Sequence, residues 1–447
     1  MDDTPGRMLG MAELTAFWSD RAAPLHALAI ARLEGPLTDS ALRRALDAVQ
    51  ARQPLLRMRI EPFGQYDARF VPVHGRAIPL AIEQLPETQL EDVIEQELND
   101  PLDWQRGPLG RCRLLRHGDG LQHVIVALSH VICDGRSFTL LMRDVLQAAA
   151  QTGPVSLPPV AMAEPVEALL PAALSWPRAL GRVLPWLPRI GLQALRCGRP
   201  QKLPRDHEVP VEQRRSRAML RVFDRNMTRQ LRDRARTEGA SMQGILMATQ
   251  VQACSSGGQR SALLATAVDL RPHFQREVGE GLGYYVGCCQ GIYRVHSDGD
   301  PWQLAREIGR DVERDKRHGL PAAIHMVDRK FVRRATRHGV DELARSVDGW
   351  SPYTTMVTNP GILPLERSYG ALRLRALHFA PLASFVSDFV SAACTLDDQL
   401  HWTFVAVEPC LTRERARRIV DDAVERLCNA VGVAEARVQH GAVAVSS

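Results

Sequence analysis

The sequence predicts an α/β protein made of two halves, and three observations lead there. Runs of β-branched and apolar residues alternate with stretches of 3.6-residue apolar period through the first 150 residues. From Ala150 to Glu212 this pattern fails: eleven prolines fall between Pro154 and Pro210, and regular structure is not expected to run far through them. Beyond Glu212 the alternation resumes. At 447 residues the chain is also long enough to bury two substantial cores.

Taken in order, Leu25 to Leu33 reads as a strand, and Leu37 to Arg52 as a helix with Leu42, Ala45, Leu46 and Val49 on one face. Leu90 to Leu98 is a shorter helix. Gln122 to Leu128 is almost wholly apolar and rich in β-branching, the mark of a strand buried on both faces. Arg136 to Leu146 places Phe138, Leu141, Met142, Val145 and Leu146 at helical spacing, with Ser137 as its cap. After the proline-rich crossover, Ser216 to Phe223 is a strand, Asn226 to Glu238 a helix, and Ser241 caps a helix running to Cys254. Leu263 to Val268 and Leu400 to Val407 are strands, and Thr412 to Val431 closes the chain as a helix. The division expected is residues 1–150, a crossover over 151–212, and a second half over 213–447. No internal repeat is visible.

Composition is that of an ordinary globular protein, 45% hydrophobic and 24% charged. A net charge of +5 is mildly basic and diffuse, and no basic run interleaved with aromatics points to nucleic acid. Nine scattered cysteines without a CxxC pair read as reduced thiols in a cytoplasmic protein. The acidic start, Met1 to Pro5, has no apolar core and so no signal-peptide character. No cluster of His, Cys, Asp or Glu has metal-ligand spacing, and neither a phosphate loop nor a dinucleotide fingerprint is present.

The chemistry concentrates in Ser129-His130-Val131-Ile132-Cys133-Asp134-Gly135. An imidazole where a buried strand gives way to a turn and helix, with an ordinary pKa near about 6.5, suits proton removal from an attacking hydroxyl or amine. A three-position motif also allows a plainer reading, a structural histidine hydrogen-bonded at a strand end. Gly135 allows close backbone approach, and its N–H can serve as an oxyanion donor. His123, seven residues before His130, falls on the opposite face of the strand and reads as packing or surface. His273 reads as a loop residue.

His130, Asp134 and Gly135 match position by position the HxxxDG signature of the CoA-dependent acyltransferase superfamily, which the chain resembles. Chloramphenicol acetyltransferase, nonribosomal peptide condensation domains, polyketide-associated acyltransferases and wax ester synthases are members. Gly35-Pro36-Leu37, Gln53-Pro54-Leu55-Leu56-Arg57, Asp100-Pro101-Leu102 with Gly107-Pro108-Leu109 and Arg111, Val268-Asp269-Leu270-Arg271, Gly283-Tyr284-Tyr285-Val286-Gly287 and Thr358-Asn359-Pro360-Gly361 resemble further family segments in the right order. Condensation domains usually carry a second histidine where this chain has Ser129.

The resemblance implies two chloramphenicol-acetyltransferase-like α/β sandwich halves in a V-shaped pseudo-dimer, with a tunnel between them and the motif histidine at its middle. It implies His130 as the base, and Asp134 as a structural carboxylate paired with Arg271. Tyr284, Tyr285 and Asn359 are candidates for substrate contact. No cofactor is expected to be held permanently. Coenzyme A or phosphopantetheine would enter as the thioester arm of an acyl-CoA or acyl carrier protein donor, and a small alcohol or amine would be the acceptor. Ester formation is favoured over amide formation by Ser129 and by the Asn359-Pro360-Gly361 turn. The rival is a non-catalytic condensation fold that binds a carrier protein. The basic stretch Arg329, Lys330, Arg333, Arg334, Arg337 and His338 is a candidate donor-docking face. Leu169 to Leu195, with tryptophans and arginines among its leucines, can pack on its own domain or touch a membrane surface. A monomer is expected.

Overall fold

A computed structural model describes residues 6–64, 66–174, 177–255, 259–327, 353–381, 387–432 and 438–440. Two mixed sheets dominate. The first has six strands in the order Ser368–Tyr369, Leu372–Ala380, His26–Glu34, Leu121–Ser129, Gly110–Arg116, Leu80–Gln84. The second has seven: Val286–His296, Gln259–Asp269, Thr355–Thr358, Phe389–Leu396, Gln399–Glu408, Arg215–Phe223, Val438–His440. A small antiparallel sheet stands apart, built from Arg7–Met8, Asp67–Pro72 and Met58–Phe63.

The strand Leu121–Ser129 shows why the apolar run is continuous. Its side chains alternate between two cores, as the two-residue period of a strand requires. Val124, Val126 and Leu128 enter the core under the helices Asp39–Arg52 and Gly135–Ala149. Ile125 and Ala127 face the other way, into a core shared by both sheets. That shared core joins Leu28 and Ile30 to Ala218, Leu220, Val405 and Val407, with the helix Leu90–Asn99 packed along it. The far face of the second sheet carries Trp402 and Phe404 beneath the helices Met242–Cys254, Pro301–Arg317 and Arg413–Val431.

The two sheets are also joined by the chain itself. Leu372–Ala380, late in the sequence, pairs antiparallel with His26–Glu34, so a distant segment completes the first sheet. Leu372–Ala380 is thus a bridging strand between the two halves of the chain. The elements read from the sequence are present with no end moved by more than four residues. One expectation is corrected. Regular structure does run through the proline-rich crossover, as the 12-residue helix Trp186–Cys197. Pro185 precedes it and Pro188 lies in its first turn, where a missing N–H breaks no intrahelical bond.

Buried histidines line the seam between the sheets. His123 lies on the shared-core face and is hydrogen-bonded to His117, Nδ1 to Nε2, at 2.9 Å. His378 on the bridging strand meets His401 on the second sheet edge to face, with ring centroids 5.0 Å apart. Burial pulls the His123 imidazolium pKa down to about 3 and that of His401 to about 4, and moves that of His378 well below the ordinary value. Burial likewise lowers His26 to about 4. These rings are neutral in the fold and free to protonate once unfolded. The unfolded state therefore binds more protons, so their stabilisation is complete above about pH 6.5 and is lost as pH falls towards the folded values. Each unit of separation is worth about 1.4 kcal/mol. Thermal melts should give a Tm that is level above about pH 7 and falls steeply below about pH 6.5, before carboxylates titrate. His401→Leu should reduce that slope by roughly one proton. A Tm that does not change down to about pH 5 would contradict the assignment.

Candidate active site

The buried strand ends at Ser129, and the chain turns at once. Ile132 N–H donates to the Ser129 carbonyl at 3.1 Å, and the His130 N–H reaches the Leu25 carbonyl at 3.0 Å. This turn sets the imidazole. His130 Nδ1 lies 2.7 Å from the Cys133 carbonyl oxygen. A carbonyl can only accept, so Nδ1 carries the hydrogen and Nε2 keeps its lone pair. Burial lowers the His130 pKa, against the opposing pull of the Cys133 carbonyl and the Asp134 carboxylate. A neutral ring with a free Nε2 is the form a general base needs. The Tyr284 ring stands edge-on to it, with centroids 5.2 Å apart.

Asp134 makes no hydrogen bond to that imidazole. Its carboxylate is the N-cap of Gly135–Ala149, accepting from Ser137 N–H at 2.8 Å. It also accepts from Tyr285 N–H at 3.1 Å and pairs with Arg271 at 2.9 Å. Arg271 in turn bonds Asp269 at 2.9 Å and lies over the Tyr285 ring at 4.9 Å. The Asp134 and Arg271 side chains are only 4% and 8% exposed, so their charges are satisfied mainly by one another and by these donors. Ser137, expected as the cap, is displaced from that role by Asp134 three residues earlier. A carboxylate at N-cap reaches the N3 amide directly, and a serine already inside the first turn does not. The Ser137 hydroxyl instead donates to the Gly283 carbonyl at 3.0 Å and accepts from the Gly283 N–H at 3.2 Å.

The segment that carries Tyr284 and Tyr285 is held by residues the sequence did not mark. Glu280 pairs with Arg143 at 2.8 Å and with Arg52, and Asp144 pairs with both arginines. The Gln53 side chain closes the clamp, accepting from Leu282 N–H at 3.0 Å and donating to the Glu280 carbonyl at 3.1 Å. Glu280 and Leu282 lie 137 to 229 positions from Arg143, Arg52 and Gln53, and nothing local announces the pairing.

Beside the motif lies a cavity of about 1130 Å³, walled by Asp134, Gly135, Asp269, Arg271, Tyr285 and Asn359 among others. Its walls do not include His130 or Tyr284. The cavity reaches the motif at Asp134 and Gly135, with the partly exposed imidazole of His130 next to it. The turn at Asn359, whose side chain accepts from Gly361 N–H at 2.8 Å, brings Pro360 to this wall. A Cβ on Gly135 would lie 3.5 Å from Pro360, ordinary contact, so the glycine is not demanded by crowding. Gly135 is exposed and lines the cavity as the first residue of Gly135–Ala149, a position whose amide has no intrahelical partner. The helix Pro301–Arg317 supplies Arg306, Arg310, Glu313, Arg314, Lys316 and Arg317 to the cavity lining. The expected docking residues Arg329, Arg333, Arg334 and Arg337 lie outside the described residues. His273 sits half-buried in the turn Arg271–His273, directly after the wall residues Arg271 and Pro272.

With this geometry in place, known proteins can be compared. The Condensation domain model matches residues 25–161, which include the whole motif. Chondramide synthase cmdD from Chondromyces crocatus is 26% identical over 74% of this chain, and the chain spans 9% of that synthase's length. Trichothecene 15-O-acetyltransferase TRI3 from Fusarium sporotrichioides superposes with a TM-score of 0.71 at 11% identity, over 95% of each chain. The first condensation domain of the calcium-dependent antibiotic synthetase gives 0.67 at 15% identity, over 98% of this chain and all of the other. The resemblance drawn from the HxxxDG pattern is borne out: the chain has the two-lobed fold common to condensation domains and this acetyltransferase.

Removing one member of a buried ion pair leaves the other uncompensated, at about 3–5 kcal/mol. Asp134→Ala and Arg271→Ala should each lower the Tm, and the double variant should lose clearly less than the sum. Strict additivity would show that the two residues stabilise the fold independently.

Proposed function

We propose that this chain transfers an acyl group from a thioester donor to a hydroxyl or amine, with His130 as the general base. The observation that carries this is the Nδ1 bond to the Cys133 carbonyl, which leaves Nε2 as a basic lone pair beside a helix N-terminus. The acceptor's O–H or N–H proton passes to Nε2 as its oxygen or nitrogen attacks the thioester carbonyl. The oxyanion so formed lies within the field of the Gly135 amide and the first turn of Gly135–Ala149. Collapse breaks the C–S bond, and the departing sulfur takes the proton from the imidazolium. Asp134 and Arg271 do not touch the reacting atoms in this scheme; they hold the turn that aims the ring.

The donor's arm is that of coenzyme A or a phosphopantetheinyl carrier protein. The cationic wall formed by Pro301–Arg317 suits an approaching phosphate or acidic carrier surface. Ester formation is the reading favoured by Ser129, which stands where peptide-forming condensation domains usually have a histidine. The intact set of His130, Asp134, Gly135 and Arg271, with the ring held in its basic tautomer, supports acyl transfer over a condensation fold that merely binds a carrier.

General-base assistance is worth about 10²–10⁴ in rate, so His130→Ala should lose at least that much acyl transfer while keeping its Tm and circular dichroism. Near-native turnover in the folded variant would remove His130 from the chemistry. Gly135→Ala adds a methyl group at this exposed residue without a clash, and should lower kcat with little change in Tm. Arg310→Glu with Arg317→Glu should raise the donor KM and spare the acceptor KM. Added salt should weaken donor binding in the same direction, because charges at this mouth are screened beyond about 8–10 Å.

A further inference from the structure

The helix Trp186–Cys197 turns Arg189 and Gln193 inward beside the half-buried Trp186 and Ile190. Arg189 is bound to Asp315, and the Gln193 side chain donates to Asp311 at 2.8 Å, both on the helix Pro301–Arg317. Cys197 bonds the Ile292 carbonyl on the edge strand of the second sheet. The opposite face is left in solvent: Leu184 is 57% exposed, Leu187 48%, Leu192 45% and Leu195 85%. At about 100° per residue these leucines, with Pro188 and Gly191, occupy a single arc of roughly 140°. They are four of the eight large apolar side chains exposed among the described residues, so the concentration is local. An amphipathic helix on a soluble surface gains stability by turning its leucines inward. Here four leucines remain on the outer face.

The charge around the arc is equally one-sided. From Ala168 to Arg205 the sequence has six arginines and one lysine, and no aspartate or glutamate. Arg178, Arg182, Arg196 and Arg199 are exposed and form no ion pair with the described residues. A leucine face bordered by unpaired cations is unsuited to a second copy of itself, since an isologous contact would bring like charges together. It is suited to a layer that is apolar within and anionic at its surface. A 12-residue helix is too short to cross a bilayer, and no described helix is long and apolar enough to do so.

We propose that Leu184, Leu187, Leu192 and Leu195, flanked by Arg182 and Arg196, form a docking face for an anionic membrane surface. The helix would lie in the plane of the interface with its leucines among the upper acyl carbons and its arginines at the headgroups. The face carried by Asp311 and Asp315 lies one helix away from the cavity, because Pro301–Arg317 also supplies Arg306 and Arg310 to the cavity wall. Docking here would hold the cavity close to the bilayer.

The test is sedimentation with vesicles, using phosphatidylcholine alone and phosphatidylcholine mixed with phosphatidylglycerol. The protein should pellet with the mixed vesicles at low salt, far less with phosphatidylcholine alone, and progressively less as salt is added. Leu187→Glu with Leu195→Glu should reduce partitioning at least about tenfold. Arg182→Glu with Arg196→Glu should reduce it about thirtyfold or more. All four positions are solvent-facing, so circular dichroism and Tm should match the parent protein. A protein that stays in the supernatant with both vesicle types overturns the proposal, as does pelleting that the leucine pair does not change. Light scattering that shows a dimer broken by the leucine pair, without vesicle binding, would overturn it in favour of self-association. Failure to bind neutral vesicles alone, with anionic binding intact, supports it.

Discussion

The Asp134 carboxylate is the point on which the candidate active-site region depends. One oxygen caps the helix that follows the motif, and the other takes an amide from Tyr285; both are within reach of Arg271. The strand end, the helix start and the segment from the second sheet are therefore positioned by one group. Its charge is offset by a guanidinium and by N–H donors whose geometry leaves little freedom, which is the setting in which a buried ion pair confers position more than net stability. Because the carboxylate is fully engaged, it is not available to the imidazole. The imidazole is fixed from the other side, by the Cys133 carbonyl, and that fixes its tautomer.

The same design recurs at a second place along the interface. Arg52, Arg143, Asp144 and Glu280 bind the Gly281–Tyr285 approach to two helices of the first sheet. The Ser137–Gly283 exchange adds a neutral pair of hydrogen bonds between these two anchors. A bare backbone at Gly283 is needed there, since a Cβ would come within 2.5 Å of the Tyr285 ring. Polar anchors locate this segment in register, while the shared apolar core between the sheets supplies the bulk of the attraction. Histidines in that core remain compatible with it only as neutral rings.

Ion pairing also bears on how the helix Trp186–Cys197 is seated. Asp315 is almost fully buried, and an unpaired carboxylate there would be expensive, so Arg189 is drawn inward beside Trp186 and Ile190, and Leu187, Leu192 and Leu195 are left on the outer face. Amphipathic periodicity identified a helix-forming stretch whose apolar face invites burial, yet periodicity does not state which neighbour will compete for the polar face.

What the sequence determined by itself was local or periodic. The double-sided burial of Leu121–Ser129, the helical faces of Asp39–Arg52 and Gly135–Ala149, the Ser241 cap and the motif at a strand end all follow from side-chain period and short-range hydrogen bonding. The capping role was readable too, but from Asp134 and not from Ser137. The Asp134–Arg271 pairing came from family resemblance, since no local rule connects positions 137 apart. Only tertiary structure decided the rest: that Leu372–Ala380 joins the first sheet, that Glu280 is gripped by two arginines, that the cavity meets the motif at Gly135 and leaves His130 off its walls, and that Trp186–Cys197 faces its leucines outward. Each depends on which charged or apolar groups arrive from distant parts of the chain, and a periodic pattern carries no information about that encounter.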